Sequence, residues 1–201
     1  MDDYYAYRQF PVFIRGEPAT MVGKPGVWSW GDVNPGTAAL IDAMEVLPAD
    51  RVLDLGCGTG LIGMAAARLA PEGWVTLADV NFAATGCAGV TLSENGITNA
   101  DVRLDDGTDA VEAYDLVVSH LPRGRAVIES LIRDAVRALK PSGRFYLVAH
   151  KRAGVRGAIE YARHLFGRVG VVRQRRGYHV ALATKEKVLS SDFPKRGDDL
   201  S

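Results

Sequence analysis

The chain has 201 residues, zero formal net charge, 47% apolar and 24% charged residues. That is enough for one domain with a full core, in a composition ordinary for globular proteins. No apolar run approaches the roughly 20 residues needed to span a bilayer. The start, MDDYYAYRQF, has neither the basic region nor the apolar core of a secretory signal. Cys57 and Cys87 are the only cysteines; in an unexported chain they read as free thiols rather than a bridge. The cytoplasm is therefore the expected location. No Cys/His cluster has metal-ligand spacing, so no metal is expected.

The charge is unevenly spread. Residues 1–100 hold 5 Lys/Arg against 11 Asp/Glu, and residues 101–201 hold 19 against 13. The window 120–180 holds 14 against 3. Such asymmetry marks either a polyanion-binding face, RNA above all, or a set of solvated helix faces.

Residues 1–35 read as an N-terminal extension. Tyr4, Tyr5, Tyr7, Phe10, Phe13, Trp28 and Trp30 predict a short hairpin, turning at Gly16-Glu17-Pro18, that packs on the core. A helix over 36–47 follows. From residue 51 strands and helices alternate. RVLDLGC (51–57) is a near-continuous apolar run, as in a strand buried on both faces. GLIGMAAARLA (60–70) predicts a helix ended by Pro71 and Gly73. Strand 74–80, helix 82–95, strand 100–104 and strand 114–120 come next. Val127, Ile128, Leu131, Ile132, Ala135 and Leu139 have helical spacing across 125–139. After a Pro141-Ser142-Gly143 turn come strand 144–150, a helix over 154–167, and strands 169–176 and 178–185 joined at Gly177. This order predicts an α/β, Rossmann-like doubly wound sheet of seven strands, mostly parallel, with one antiparallel strand from the C-terminal hairpin. The domain spans 36–187, and 188–201 is a polar tail expected to fray.

DLGCGTG (54–60) links the first core strand to the first core helix, where glycines permit a sharp turn and close approach of a ligand. The dinucleotide fingerprint needs Gly or Ala where Leu61 stands, so the loop suits a ligand without a pyrophosphate. Asp79, 19 residues after Gly60, closes the second core strand; its carboxylate suits ribose hydroxyls, or else caps the helix after Asn81. Asp54 is too costly to bury alone and must pair with loop backbone or a ligand ammonium. Asp105 and Asp106 either contact an adenine amino group or form a turn.

These features resemble the class I S-adenosylmethionine-dependent methyltransferases over about residues 36–186. The resemblance implies that Gly56, Gly58 and Gly60 line the methionine and ribose portion, that Asp79 holds the ribose, and that Asp106 lies near the adenine. Asp54, Cys57, Val80 and Ser119 complete the implied cofactor set, with Cys57 also readable as a small packing residue. GVWSW (26–30) and NPGTAAL (34–40) resemble a narrower group, the small methyltransferase domain family, which includes guanine-N2 methyltransferases of ribosomal RNA. That family has Phe where Trp28 stands and Asp where Asn34 stands; Gly36 and Thr37 match. Two-domain members carry a duplicated N-terminal half that this chain lacks.

In that family the serine matching Ser119 precedes Asn-Pro-Pro-Phe, whose Asn oxygen and following carbonyl accept hydrogen bonds from the target amino group while the ring stacks on the base. Here those positions are His120, Leu121, Pro122 and Arg123. Position dominates methyl transfer, because the sulfonium is already a good leaving group. Neutral His120 has one acceptor nitrogen and suits a proton acceptor or general base. Leu121 keeps its carbonyl, and Arg123 suits a base plane or a phosphate. His120, Pro122 and Arg123 are the expected catalytic set. Three readings stand open: a methyltransferase with an altered acceptor, one still acting on guanine N2 in RNA, and a cofactor-binding protein without catalysis that works as an RNA-binding or assembly factor. Arg125, Lys151, Arg152 and Arg156 follow strand ends that border the ligand crevice. His164 and His179 are read as structural; His150 is either structural, the favoured reading, or a site residue, and Trp28 and Trp30 either pack in the core, the favoured reading, or cover the cofactor or receive a base.

Overall fold

The computed structural model describes residues 6–106 and 109–186. The expected tail over 188–201, and Tyr4 and Tyr5, lie outside them.

β1 (Arg8–Ile14) and β2 (Glu17–Gly23) form the expected hairpin as a separate two-stranded sheet. Its turn is Arg15-Gly16, one residue earlier than the sequence suggested. Both residues have positive φ, 53° and 86°, as in the tight turns that match strand twist. Glu17 and Pro18 already pair with Ile14 and Phe13. Side chains from the rest of the chain hold the hairpin down. Asn95 bonds both the N–H (3.0 Å) and the carbonyl (2.7 Å) of Thr20, and Thr91 Oγ1 accepts from the N–H of Val22 at 3.0 Å. Arg15 donates to the carbonyls of Ile41 and Met44. That guanidinium closes α1 (Pro35–Ala43), which is shorter than the 36–47 expected because Met44 is already extended.

The main sheet has seven strands: β3 (Arg51–Leu55), β4 (Trp74–Asp79), β5 (Ala100–Leu104), β6 (Tyr114–His120), β7 (Leu139–His150), β8 (Gly167–Arg175) and β9 (Tyr178–Lys185). Their order is β5-β4-β3-β6-β7-β9-β8. β9 runs antiparallel to both neighbours, and the other pairings are parallel. This is the sheet expected from the sequence. β7 starts earlier than 144: Pro141-Ser142-Gly143 lies inside it as an interruption, and its pairing with β6 jumps from Tyr114↔Leu139 to Leu116↔Arg144.

Alternating side chains build two cores. On one face Val52, Tyr146, Val148 and Val180 meet α1, α2 (Leu61–Leu69) and the hairpin's Ile14 and Met21. On the other, Leu53, Leu55, Phe145, Leu147 and Ala181 meet α4 (Arg125–Ala138) and α5 (Val155–Phe166). Val52, Leu53 and Leu55 are all essentially buried, which is why 51–55 reads as an unbroken apolar run. α3 (Phe82–Glu94) carries Thr91 toward β2, and Asn95 follows as its C-cap. The chain leaves β3 toward β4 on one side and returns to β6 on the other. That reversal makes a crevice at the carboxyl ends of the strands.

Candidate active site

One cavity of about 1070 Å³ opens over those strand ends. At one end stand Gly56, Gly58, Asp79, Val80, Asp105 and Asp106; at the other stand Trp28, His120, Pro122, Arg123, His150 and Tyr178. The glycine loop and the mouth of β6 therefore face one continuous space.

At the first end the backbone does most of the shaping. Gly56 and Gly58 have φ of 76° and 56°, and a Cβ on either would meet nothing within 4 Å. The loop presents bare main chain to open space. The amides of Gly56 and Cys57 both donate to the carbonyl of Ala78, at 2.8 and 3.0 Å. Asp79 Oδ2 accepts from Gly58 N–H at 2.9 Å and Oδ1 from Asn81 N–H at 2.9 Å. A carboxylate has about four lone-pair sites, so both oxygens keep capacity for ribose hydroxyls. The cap of α3 is Asn81, whose side chain accepts from Ala83 N–H. The cap reading of Asp79 is thereby corrected. Val80 is 74% exposed at the rim.

Asp54 is fully buried beneath the loop. Its Oδ2 accepts from Gly63 N–H at 2.8 Å, while Oδ1 has no partner among the described residues. Burial, with help from the nearby charge of Asp79, pushes its pKa up to about 7 against the Gly63 bond. An orphaned buried carboxylate oxygen, a bare glycine loop and a half-satisfied Asp79 fit a ligand with an ammonium and a ribose. Three expected cofactor residues have other contacts. Ser119 is buried, donates to the carbonyl of Leu55 at 2.8 Å, and ties β6 to β3 without lining the cavity. Gly60 packs against Ala88, where a Cβ would come within 2.9 Å of its Cα. Cys57 is buried in the core beside the loop, its thiol pushed up by burial and by the charges of Asp54 and Asp79.

At the second end the polar groups come from four separate segments. His120 ends β6; its Nδ1 lies 3.1 Å from Thr37 Oγ1 in the first turn of α1. Its ring meets Trp28 edge-on at 4.6 Å and Tyr178 at 5.7 Å between centroids. Burial lowers its pKa to about 4, so it is neutral near pH 7 and a weak base there. Leu121 has its side chain in the core and its N–H donates to the carbonyl of Val148 at 2.9 Å, while it still lines the cavity. Pro122 and Arg123 are exposed and line the cavity. His150 also lines it; its Nδ1 accepts from Arg152 N–H at 3.1 Å, capping the short 3-10 turn Lys151–Ala153. Trp28 was expected in the core but is 59% exposed at the mouth. Trp30 is partly buried, packed beside Val27, Ala84 and Cys87.

No local pattern marks Tyr178 in the sequence. It opens the one antiparallel core strand, just after the Gly177 turn, and so falls at the carboxyl end of its parallel neighbours. Its hydroxyl accepts from Asn34 Nδ2 at 3.0 Å. Among the described residues no His/Cys/Asp/Glu group could hold a metal ion, and no helix is long and apolar enough to cross a membrane.

Residues 18–182 match the model of the methyltransferase small domain family. The chain belongs to that family, and its fold is that of S-adenosylmethionine-dependent methyltransferases. It is 30% identical to the uncharacterized protein YbxB of Bacillus subtilis, over 86% of this chain and 89% of that one. It is 32% identical to ribosomal RNA small subunit methyltransferase C of Pseudomonas entomophila, over 88% of this chain but 54% of the relative. Among solved structures it is similar to the T. thermophilus 16S rRNA N2 G1207 methyltransferase RsmC in complex with AdoMet and guanosine. That likeness has TM-score 0.71 and 32% identity, covering 90% of this chain and 45% of the other. The chain thus spans about half the length of the ribosomal RNA enzymes that it resembles.

Proposed function

We propose that the protein transfers a methyl group from S-adenosylmethionine to a nucleophile on RNA, or on a related acceptor, that enters at the His120-Leu121-Pro122-Arg123 mouth. The observation that carries this reading is the single cavity joining the glycine-loop end to that mouth. The likeness to ribosomal RNA methyltransferases supports an RNA acceptor, which also agrees with a cytoplasmic location.

S-adenosylmethionine supplies a methyl on a sulfonium, whose carbon–sulfur bond breaks as the bond to the nucleophile forms. The protein's work is placement, and placement alone is worth many orders of magnitude in rate. Gly56 and Gly58 let the ligand approach the main chain. Asp79 accepts from the ribose hydroxyls, Asp54, buried and not part of the cavity wall, supplies negative charge to the ammonium from beneath the loop, and Val80 and Asp106 border the adenine. At the other end His120 and Pro122 position the acceptor. Exposed Arg123 and Arg152, which line the same cavity, hold phosphate.

The test is incubation with methyl-labelled S-adenosylmethionine and three separated pools: total RNA, protein and small metabolites. Label in RNA is the expected result. Label only in another pool overturns the RNA assignment. Confirmed cofactor binding with no label in any pool overturns catalysis and favours the RNA-binding or assembly-factor reading.

A further inference from the structure

The acceptor end contains a hydrogen-bond chain whose direction is set by main-chain donors. Asn34 is the N-cap of α1, and its Oδ1 accepts from Gly36 N–H at 2.7 Å. A backbone N–H needs an acceptor, so this bond fixes which way the amide faces. Asn34 Nδ2 must then donate to Tyr178 Oη, at 3.0 Å. The phenol oxygen is an acceptor in that bond, which leaves its own proton for the cavity that the ring lines.

Thr37 sits three residues after Asn34 in the same turn and is 8% exposed. Its hydroxyl makes one hydrogen bond among the described residues, to His120 Nδ1. Were Nδ1 protonated, it would donate to Thr37 and the hydroxyl proton would be left unpaired in a buried site, which is costly. With the hydroxyl donating to a bare Nδ1, the Thr37 proton and Nδ1 satisfy each other, and Nε2 carries the ring proton on a residue that lines the cavity. Gly36 lets the turn press this close, since a Cβ there would collide with the Tyr178 ring and His120 Cε1. The depressed pKa of His120 keeps the ring neutral near pH 7, so the hydrogen bond to Thr37 is left to choose between its two tautomers. His150 is fixed in the same sense by the Arg152 N–H donating to its Nδ1.

We infer that the first turn of α1 holds His120 as the Nε2–H tautomer and Tyr178 as an O–H donor, so that the mouth selects a methyl acceptor presenting hydrogen-bond acceptors rather than an exocyclic amino group. An amino group would set N–H against N–H at this wall. A carbonyl oxygen beside an unprotonated ring nitrogen suits it; the O6/N7 edge of guanine is one such pair. The donors hold the carbonyl, and the neighbouring ring nitrogen supplies the lone pair that takes the methyl. That nitrogen carries no proton, so methyl transfer leaves none to remove, and His120 has no need to act as a base.

This inference rests on the methyltransferase reading for its substrate, but its tautomer half is measurable without turnover. A long-range proton–nitrogen NMR spectrum of the ring-¹⁵N-histidine protein near pH 7 reads each imidazole directly. The expected pattern for His120 is a protonated Nε2 and a bare Nδ1, matching His150 as an internal reference. A protonated Nδ1 at His120 overturns the inference. Thr37→Val should mix the two tautomers and Thr37→Ser should restore one; an unchanged spectrum in Thr37→Val removes Thr37 from the argument and overturns it. Mapping the methyl on any labelled product tests the other half: a ring nitrogen supports the inference and an exocyclic amino group overturns it. If no product forms, the methyl-transfer reading fails while the spectrum still decides the tautomer.

Discussion

The two ends of the cavity are built on different plans. The cofactor end is made by one contiguous loop, 54–60, and by carboxylates that close the neighbouring strands. Its groups are main-chain amides and acids, held by hydrogen bonds from the loop itself to Ala78 and Asp79. The acceptor end is assembled from residues 28, 34–37, 120–123, 150–152 and 178, which come together only when α1, β6, β7 and β9 have packed. Its groups are rings and hydroxyls whose polarity is set by a helix cap. The first end is held by bonds within one short stretch of chain; the second depends on contacts between segments far apart in sequence.

The largest effect expected from breaking this division is at Asp79. Asp79→Ala removes the ribose acceptor and the anchor of Gly58 together. At about 1.5–3 kcal/mol for each hydrogen bond between a charged and a neutral group, calorimetry should show cofactor affinity falling by 100-fold or more. An affinity within threefold of wild type would remove Asp79 from the ribose. The next largest is turnover at His120. His120→Ala should leave cofactor affinity unchanged and lower kcat by about 10- to 100-fold, as expected for a positioning contact. Equal turnover would leave the mouth without its central group, and a lost cofactor affinity would mean that the two ends are not separable.

A pH dependence should belong to the cofactor end alone. Asp54 has its pKa raised by burial to about 7, and a ligand ammonium beside it favours the ionised form. Cofactor binding should therefore release a proton below about pH 7, and affinity should rise up to about tenfold per pH unit from pH 5.5 to 7, then level off. For the unliganded protein the sign is opposite. A carboxyl whose folded pKa lies above its unfolded value stabilises the fold most at low pH, and that contribution is lost as pH rises from about 4 to about 7. Asp54→Asn should flatten both profiles. A slope that survives the substitution would assign it to another group.

The smaller effects lie at the acceptor end. Trp28 is exposed, so Trp28→Ala should shift the melting temperature little. Stacking is worth about 1–3 kcal/mol per base, and the substitution should raise KM for an RNA acceptor at least fivefold with cofactor affinity intact. A large loss of stability with unchanged KM would return Trp28 to packing. Last, Arg152→Ala should reduce by about one the slope of log affinity for RNA against log salt concentration. A slope unaltered by the change would take the phosphate away from Arg152.

How much of this was legible in the sequence follows from the same division. The 51–55 run, the glycine loop and Asp79 are local patterns, and each strand or helix of the core lies within a few residues of its expected bounds. The differences have local causes: Arg15 closes α1 early, and the Pro141-Ser142-Gly143 turn is absorbed into β7. The errors of role concern side chains with two possible partners. Ser119 was a cofactor residue only by resemblance, and its hydroxyl bonds the next strand over. Trp28 looked like core because aromatic residues usually are, but Val27 takes the inward place beside it. Nothing near Tyr178 in the chain marks it as a site residue.

By itself, then, the sequence determined the alternating α/β order, the seven strands, and a cradle for a ligand with a ribose and no pyrophosphate. These follow from periodicity, from glycines where positive φ is needed, and from acids at strand ends, all of which act over a few residues. Only the tertiary structure decided what faces the methyl acceptor. It brings Asn34 and Thr37 against Tyr178 and His120, across 144 and 83 residues of chain. It also buries the imidazole deeply enough to hold it neutral. A hydrogen bond's direction depends on every other partner its two groups have, and those partners meet only in the folded chain.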